Sequence, residues 1–143
     1  MKLSVLVVCR HNSARSQMAE AFLKRECPDF EVESAGLEAG ALNPYAVAAM
    51  AEVGIDISGR TPRSLPAVHG RRFDVVIAVC DAEASRKCPV FPGEVERLHW
   101  PFPDPASFDG SHVEKMQRTR EVRDAILRAV KQFCVQRCGS SAV

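Results

Sequence analysis

Cys9 and Arg15 bracket five residues, and the string Cys9-Arg10-His11-Asn12-Ser13-Ala14-Arg15-Ser16 concentrates the groups in this chain that could do chemistry. An apolar run over 3–8 ends at the cysteine, and helical spacing begins after the arginine. A strand, a tight polar loop and a helix N-terminus make an anion cradle, because loop and first-turn amides have no intrahelical acceptor. The same N–H dipoles and positive charge favour the ionised, nucleophilic form of a thiol among them. Arg15 adds a planar fork matched to two oxygens of a tetrahedral oxyanion. Cys9 is thus the candidate nucleophile, and Arg10, His11, Asn12, Ser13, Ala14, Arg15 and Ser16 are the candidate oxyanion-binding set. The Ser16 hydroxyl is placed to hydrogen-bond the sulfur. Asn12 suits a loop position with positive φ. Cys80, Cys88 and Asp104 are the other groups with chemistry to offer.

The elements that must position these groups follow from pattern. Residues 3–8 form a near-continuous apolar run, as a buried parallel strand requires. Ala19, Phe22, Leu23 and Cys27 recur at helical spacing over 16–27, and Pro28 closes that helix. Residues 30–34 alternate, with Phe30 and Val32 inward, and turn at Ala35-Gly36. Asn43-Pro44 is a cap followed by proline at the first helical position. Val47, Met50 and Val53 are the inner stripe of that helix, and Gly54 ends it. A short helix is expected over 61–70, strands over 73–79 and 95–99, and a last helix over 111–133. Its inner stripe is Val113, Met116, Val122, Ile126, Val130 and Phe133. Strands alternating with helices predict one three-layer α/β domain over 1–143, a four-stranded parallel sheet flanked by helices. Right-handed crossovers place the loops after the first, third and fourth strands on one edge. Cys9, Cys80 and Asp104 therefore share a rim.

The chain has 143 residues, 46% of them hydrophobic, and a formal net charge of +1. That charge argues against a nucleic-acid or membrane-surface role. With no leader-like segment and no apolar run of spanning length, a cytoplasmic protein is expected. In that compartment six cysteines point to redox chemistry or metal binding rather than a disulfide framework. Cys27 reads as core, and Cys134 and Cys138, four apart, as an incidental tail. No metal site is expected.

The 9–16 loop resembles the phosphate-binding loop of the low-molecular-weight tyrosine phosphatase superfamily. Asn12-Ser13-Ala14-Arg15-Ser16-Gln17-Met18-Ala19-Glu20 is similar to its arsenate reductase branch. Cys80, Cys88-Pro89 and His99-Trp100-x-Phe102-x-Asp104-Pro105-Ala106 resemble the redox segment and acid loop of thioredoxin-coupled arsenate reductases. Ser34-Ala35-Gly36, Asn43-Pro44 and Ile55-Asp56-Ile57-Ser58 extend the likeness to most of 3–133.

The resemblance implies a cysteine relay on arsenate. Cys9 attacks arsenic, Arg15 holds the oxyanion, and Asp104 protonates the departing hydroxyl. Cys80 then attacks Cys9, and Cys88 attacks Cys80. The resulting Cys80–Cys88 disulfide goes to thioredoxin, with glutaredoxin as the other donor. Such a bond needs Cα atoms within roughly 4.4–6.8 Å, whereas eight residues of straight helix rise about 12 Å, so the segment must loop. Phosphate and sulfate would compete with arsenate, no resident cofactor is implied, and a monomer is expected. Asn12, Ser16, Glu20 and Ser34 would support the loop. In some members Asn12, Glu20 and Ser34 help to bind potassium beside an aspartate where this chain has Arg63, so Arg63 is expected to replace the cation. Two alternatives use fewer of these residues. A low-molecular-weight tyrosine phosphatase needs only Cys9, Arg15 and Asp104, but usually also aromatic residues to grip a phenyl ring. A non-catalytic oxyanion sensor or phosphocarrier needs only the loop.

Overall fold

The computed structural model of the chain describes residues 3–68, 70–80 and 96–137. Four strands, β1 (Ser4–Cys9), β2 (Glu31–Gly36), β3 (Val75–Ala78) and β4 (Glu96–His99), form one sheet in the order β2-β1-β3-β4. All pairs are parallel, with Val8 opposite Ala35 on one side and Ala78 on the other. β1 is buried from Val5 to Cys9 and β3 along its whole length, which is why they read as apolar runs.

Helices α1 (Arg15–Glu26), α2 (Pro44–Glu52) and α3 (His112–Arg137) complete the described frame. One core joins Val5 and Val7 of β1 and Ile77 of β3 to Met18 and Phe22 of α1, Met50 of α2 and Ile126 and Val130 of α3. On the opposite face Leu6, Val8, Ala35 and Val76 pack with Phe73 and with Val68 of the 3-10 turn Leu65–Val68. Among the described residues, no helix is long and apolar enough to cross a membrane.

Most elements lie where the pattern places them, and α2 starts as expected. The Asn43 side chain accepts from the Tyr45 and Ala46 amides, and Pro44 is the first helical residue. Gly54, at φ 81°, follows the helix end.

Four expectations need correction. The helix expected over 61–70 is only the turn Leu65–Val68. Pro62 and Pro66 weaken a helix there, and the backbone has other commitments. Arg63 accepts from the Gly36 amide and donates to the Asn12 side chain, and Ser64 bridges Gly36. The last helix runs on through Cys134 to Arg137. Val113, expected on its inner stripe, is 77% exposed, because the first turn overhangs the core. Cys27 and Cys134, read as a core residue and a tail residue, are both buried and joined by a disulfide, with Cα atoms 6.0 Å apart. A separation of 107 residues leaves no local trace of such a pairing.

Candidate active site

The 9–16 loop is built by pinning its carbonyls from behind. The amides of Leu37, Glu38 and Gly40 donate to the carbonyls of Cys9, Arg10 and His11, and the Asn43 amide to that of Ser13. In a trans peptide the N–H points away from its carbonyl. With those carbonyls turned toward the 37–43 strap, the following amides of Arg10, His11, Asn12 and Ala14 turn the other way. The Asn12 N–H indeed donates to Cys9 Sγ at 3.1 Å. Gly36 makes this approach possible, since a Cβ there would sit 2.6 Å from the Asn12 nitrogen.

Ala14 precedes helix α1 at the N-cap position and offers no side-chain cap, and the first turn holds no acidic residue. Its first-turn amides thus keep their affinity for an anion, in contrast to α2, whose amides Asn43 satisfies.

Asn12, at φ 54°, is the hub. Its Nδ2 donates to Ser16 Oγ at 2.8 Å and to Ser34 Oγ at 2.9 Å. Its Oδ1 accepts from the Arg63 amide at 2.8 Å and from Gln17 Nε2 at 3.0 Å. These bonds orient the remaining protons. Ser16 Oγ, accepting from Asn12, turns its own proton to Cys9 Sγ, 2.9 Å away. Ser34 turns its proton to the Glu20 carboxylate. The sulfur thus faces two donors, an arrangement that a thiolate can use fully as acceptor.

Glu20 anchors the far end of this chain of bonds. Burial pushes its carboxyl up, but hydrogen bonds from Lys24 and Ser34 and the charge of Arg60 outweigh that and hold it below its ordinary value. Lys24 Nζ and Arg60 both lie 2.7 Å from Glu20 Oε2. The Arg63 guanidinium instead takes the Ser34 carbonyl at 3.2 Å and Glu33 at 3.1 Å. The expected substitution of a bound cation by Arg63 is therefore shared differently: Lys24 and Arg60 neutralise the carboxylate, while Arg63 serves the loop through its backbone. These residues do not fit a bound potassium ion, which two protein cations would repel.

Arg15 is 5% exposed and faces the acid loop. Its guanidinium donates to the Phe102 carbonyl at 3.2 Å and lies 3.4 Å from Asp104 Oδ2. Asp104 starts a 3-10 turn, Pro105–Ser107, with its side chain on the Ala106 amide. His11 turns outward, 40% exposed and 3.9 Å from Glu38, so of its groups the backbone serves the loop.

Cys80 lies on the same rim. The Val79 amide continues the β1–β3 ladder to the Val8 carbonyl, and Cys9 and Cys80 carry buried thiols in one apolar cluster. Cys80 follows the end of β3 by two residues, as Cys9 closes β1, so both lie at the carboxyl edge of the sheet. Cys88 and Cys138 lie outside the described residues, and so does the expected Cys80–Cys88 pairing. Trp100 packs on Phe102 and Phe133, and Tyr45 stacks on His112.

Sequence reasoning missed Gln17, Lys24, Arg60 and Gly36. Only the i,i+4 spacing of Glu20 and Lys24 carried a readable signal.

Residues 4–139 match the family described as low molecular weight phosphotyrosine protein phosphatase. An arsenate reductase of Bacillus licheniformis is 44% identical over 133 residues, 92% of this chain and 95% of its own. An arsenate reductase solved in its phosphate-binding state has a TM-score of 0.77 and 33% identity, covering 95% of this chain and 98% of that one. The tyrosine phosphatase Wzb of Escherichia coli K30, solved with sulphate, shares the fold at a TM-score of 0.78 and 20% identity. The chain thus belongs to the low molecular weight phosphotyrosine protein phosphatase family.

Proposed function

We propose that this protein reduces arsenate to arsenite in the cytoplasm by a thiol relay that starts at Cys9. The observation that carries this reading is a second buried thiol, Cys80, just past the end of the strand beside β1 and in the same core cluster as Cys9. A phosphatase has no use for it. The arsenate reductases that match over nine-tenths of the chain support the same choice.

Loop amides and Arg15 bind the tetrahedral anion, displacing Asp104 from the guanidinium to a position beside the leaving oxygen. Cys9 thiolate attacks arsenic, and hydroxide leaves as water with the Asp104 proton. Cys80 attacks Cys9 Sγ, the sulfur–arsenic bond breaks, and its electron pair reduces arsenic to arsenite. Cys88 attacks Cys80 and releases Cys9 as thiolate. An external dithiol, thioredoxin or a glutaredoxin system, then reduces the Cys80–Cys88 bond. Asn12, Ser16, Glu20 and Ser34 hold the loop in shape throughout.

The test is arsenate-dependent NADPH oxidation with thioredoxin and thioredoxin reductase. Cys9→Ser, Cys80→Ser and Cys88→Ser are each expected to stop turnover. Wild-type arsenate turnover in Cys80→Ser overturns the relay through Cys80, and efficient aryl phosphate hydrolysis without arsenate reduction overturns the proposal in favour of a phosphatase. Normal turnover in Cys88→Ser moves the final step to glutathione and glutaredoxin.

A further inference from the structure

Gln17 is 2% exposed in the first turn of α1, and neither the relay nor the core explains it. Its Nε2 donates to the Asn12 carbonyl at 3.1 Å and to Asn12 Oδ1 at 3.0 Å. Chemistry fixes this orientation of the amide. The Asn12 carbonyl can only accept, and Oδ1 is identified as the acceptor by the Arg63 amide. A flipped Gln17 would set oxygen against two oxygens.

The consequence is that Gln17 Oε1 is buried without a hydrogen-bond partner among the described residues. Gln17 lines a cleft of about 290 Å³ with Glu20, Lys24, Arg60 and Thr61. A buried carbonyl oxygen without a partner works against folding, and a residue kept only for packing would carry none. Local violations of this kind concentrate at functional sites.

Three consecutive residues divide the labour. Arg15 reaches the acid loop, Ser16 the sulfur, and Gln17 grips Asn12 by backbone and side chain together. Asn12 holds a left-handed backbone and aims its N–H at Cys9 Sγ. We propose that Gln17 is a positioning residue for Cys9. By holding Asn12 at both ends it keeps the Asn12 N–H, and through Nδ2 the Ser16 hydroxyl, aimed at the sulfur. The proposal rests on Cys9 as the nucleophile, not on which oxyanion it attacks.

The experiment compares the full chain with Gln17→Met, which removes the amide and keeps its length, and Gln17→Ala, which removes both. Cys9 alkylation by iodoacetamide is followed by peptide mass spectrometry across pH, with and without inorganic phosphate, alongside thermal midpoints. Both variants are expected to need higher pH for Cys9 to react, by the same shift, and several-fold more phosphate for protection. Gln17→Met should still fold, with a thermal midpoint lowered by no more than that of Gln17→Ala. A wild-type profile in both overturns the proposal. So does a shift in Gln17→Ala alone, which makes the residue a packing element, and so does failure of Gln17→Met to fold, which makes the amide structural. Each readout stands without arsenate turnover, so loss of the reductase reading would leave the result intact.

Discussion

At the carboxyl edge of the sheet Cys9 and Cys80 are thiols at the tips of adjacent strands, whereas at the amino edge Cys27 and Cys134 are bonded across two helices. Helix α1 separates the two: it starts beside Cys9 and ends at Cys27, and its 12 residues span about 18 Å. The α3 end is fixed at that amino edge too, with Arg137 on Glu96 at the start of β4. One end offers donors and a mouth to an anion. The other is walled by Phe30 and Phe133 and gives a solution thiol poor access, which keeps it apart from exchange at the rim. The same element, cysteine, thus serves as a reagent where strands end and as a staple where helices end.

The largest effect expected is a clean split between the two pairs. Cys9→Ser and Cys80→Ser abolish arsenate turnover with thermal midpoints near wild type. Cys27→Ser and Cys134→Ser keep kcat within about twofold, as distant independent sites should. A collapse of kcat in Cys134→Ser would break the comparison. It would mean that the aromatic path from Phe133 through Trp100 to Phe102, whose carbonyl holds Arg15, couples the two ends.

Stability should sort the pairs in the opposite sense. Loss of a cross-link that closes 107 residues is expected to cost about 2–5 kcal/mol. Urea unfolding of Cys27→Ser, Cys134→Ser and the double variant should give one common loss, because each removes the same bond. A reductant should lower wild type to that level and leave the variants unmoved. Equal midpoints with and without reductant would remove the staple from the account.

The strands, the α/β alternation and the reactive loop were legible because their signals are local. A buried strand reads as Leu3 to Val8, a capped helix as Asn43-Pro44, and a nucleophile with its clamp as Cys9 and Arg15. What sequence did not reveal is what depends on distance. Nothing near Cys27 marks Cys134 as its partner. Gln17 is only five residues from Asn12, but it reads as a polar first-turn residue because the left-handed backbone at Asn12, which brings the two together, leaves no mark in the pattern. The segment around Arg63 reads as a broken helix because its real partners, Gly36 and Asn12, lie on other elements. Arg60 reached Glu20 by the same kind of long-range closure.

Glu20→Gln probes the carboxyl edge alone. Removing the charge strips Lys24 and Arg60 of their partner and loosens the bond from Ser34, a change expected to cost about 1–3 kcal/mol. Its sign with pH follows from linkage. The folded carboxyl is held below its ordinary 4.5, so its contribution is complete above that value and fades as pH falls through the folded one. The gap between wild type and Glu20→Gln in urea midpoints should therefore narrow on acidification below about 4.5. A gap that stayed constant would assign the effect to packing.

Glu52→Gln carries the smallest effect and lies outside both edges. Glu52 closes α2, with Arg120 at 2.7 Å and Arg123 at 2.9 Å from α3, and hydrogen bonds from these two arginines lower its carboxyl to about 2. The group is exposed, so solvent screens the pair and the loss in thermal midpoint should be small and shrink further with salt. Its pH window, however, reaches lower than that of an unpaired carboxylate. The contribution is full above the ordinary 4.5 and disappears only as pH approaches about 2, so the difference between wild type and variant should persist in mild acid. Cys9 alkylation should not change in Glu52→Gln, because α2 is held at its other end by the Asn43 cap and by the Asn43 amide on Ser13. A shifted alkylation profile would instead mean that the strap behind the loop takes its position from α3. The thiol edge would then be sensitive to the helix that the Cys27–Cys134 bond secures, and the two ends of the sheet could no longer be treated as separate.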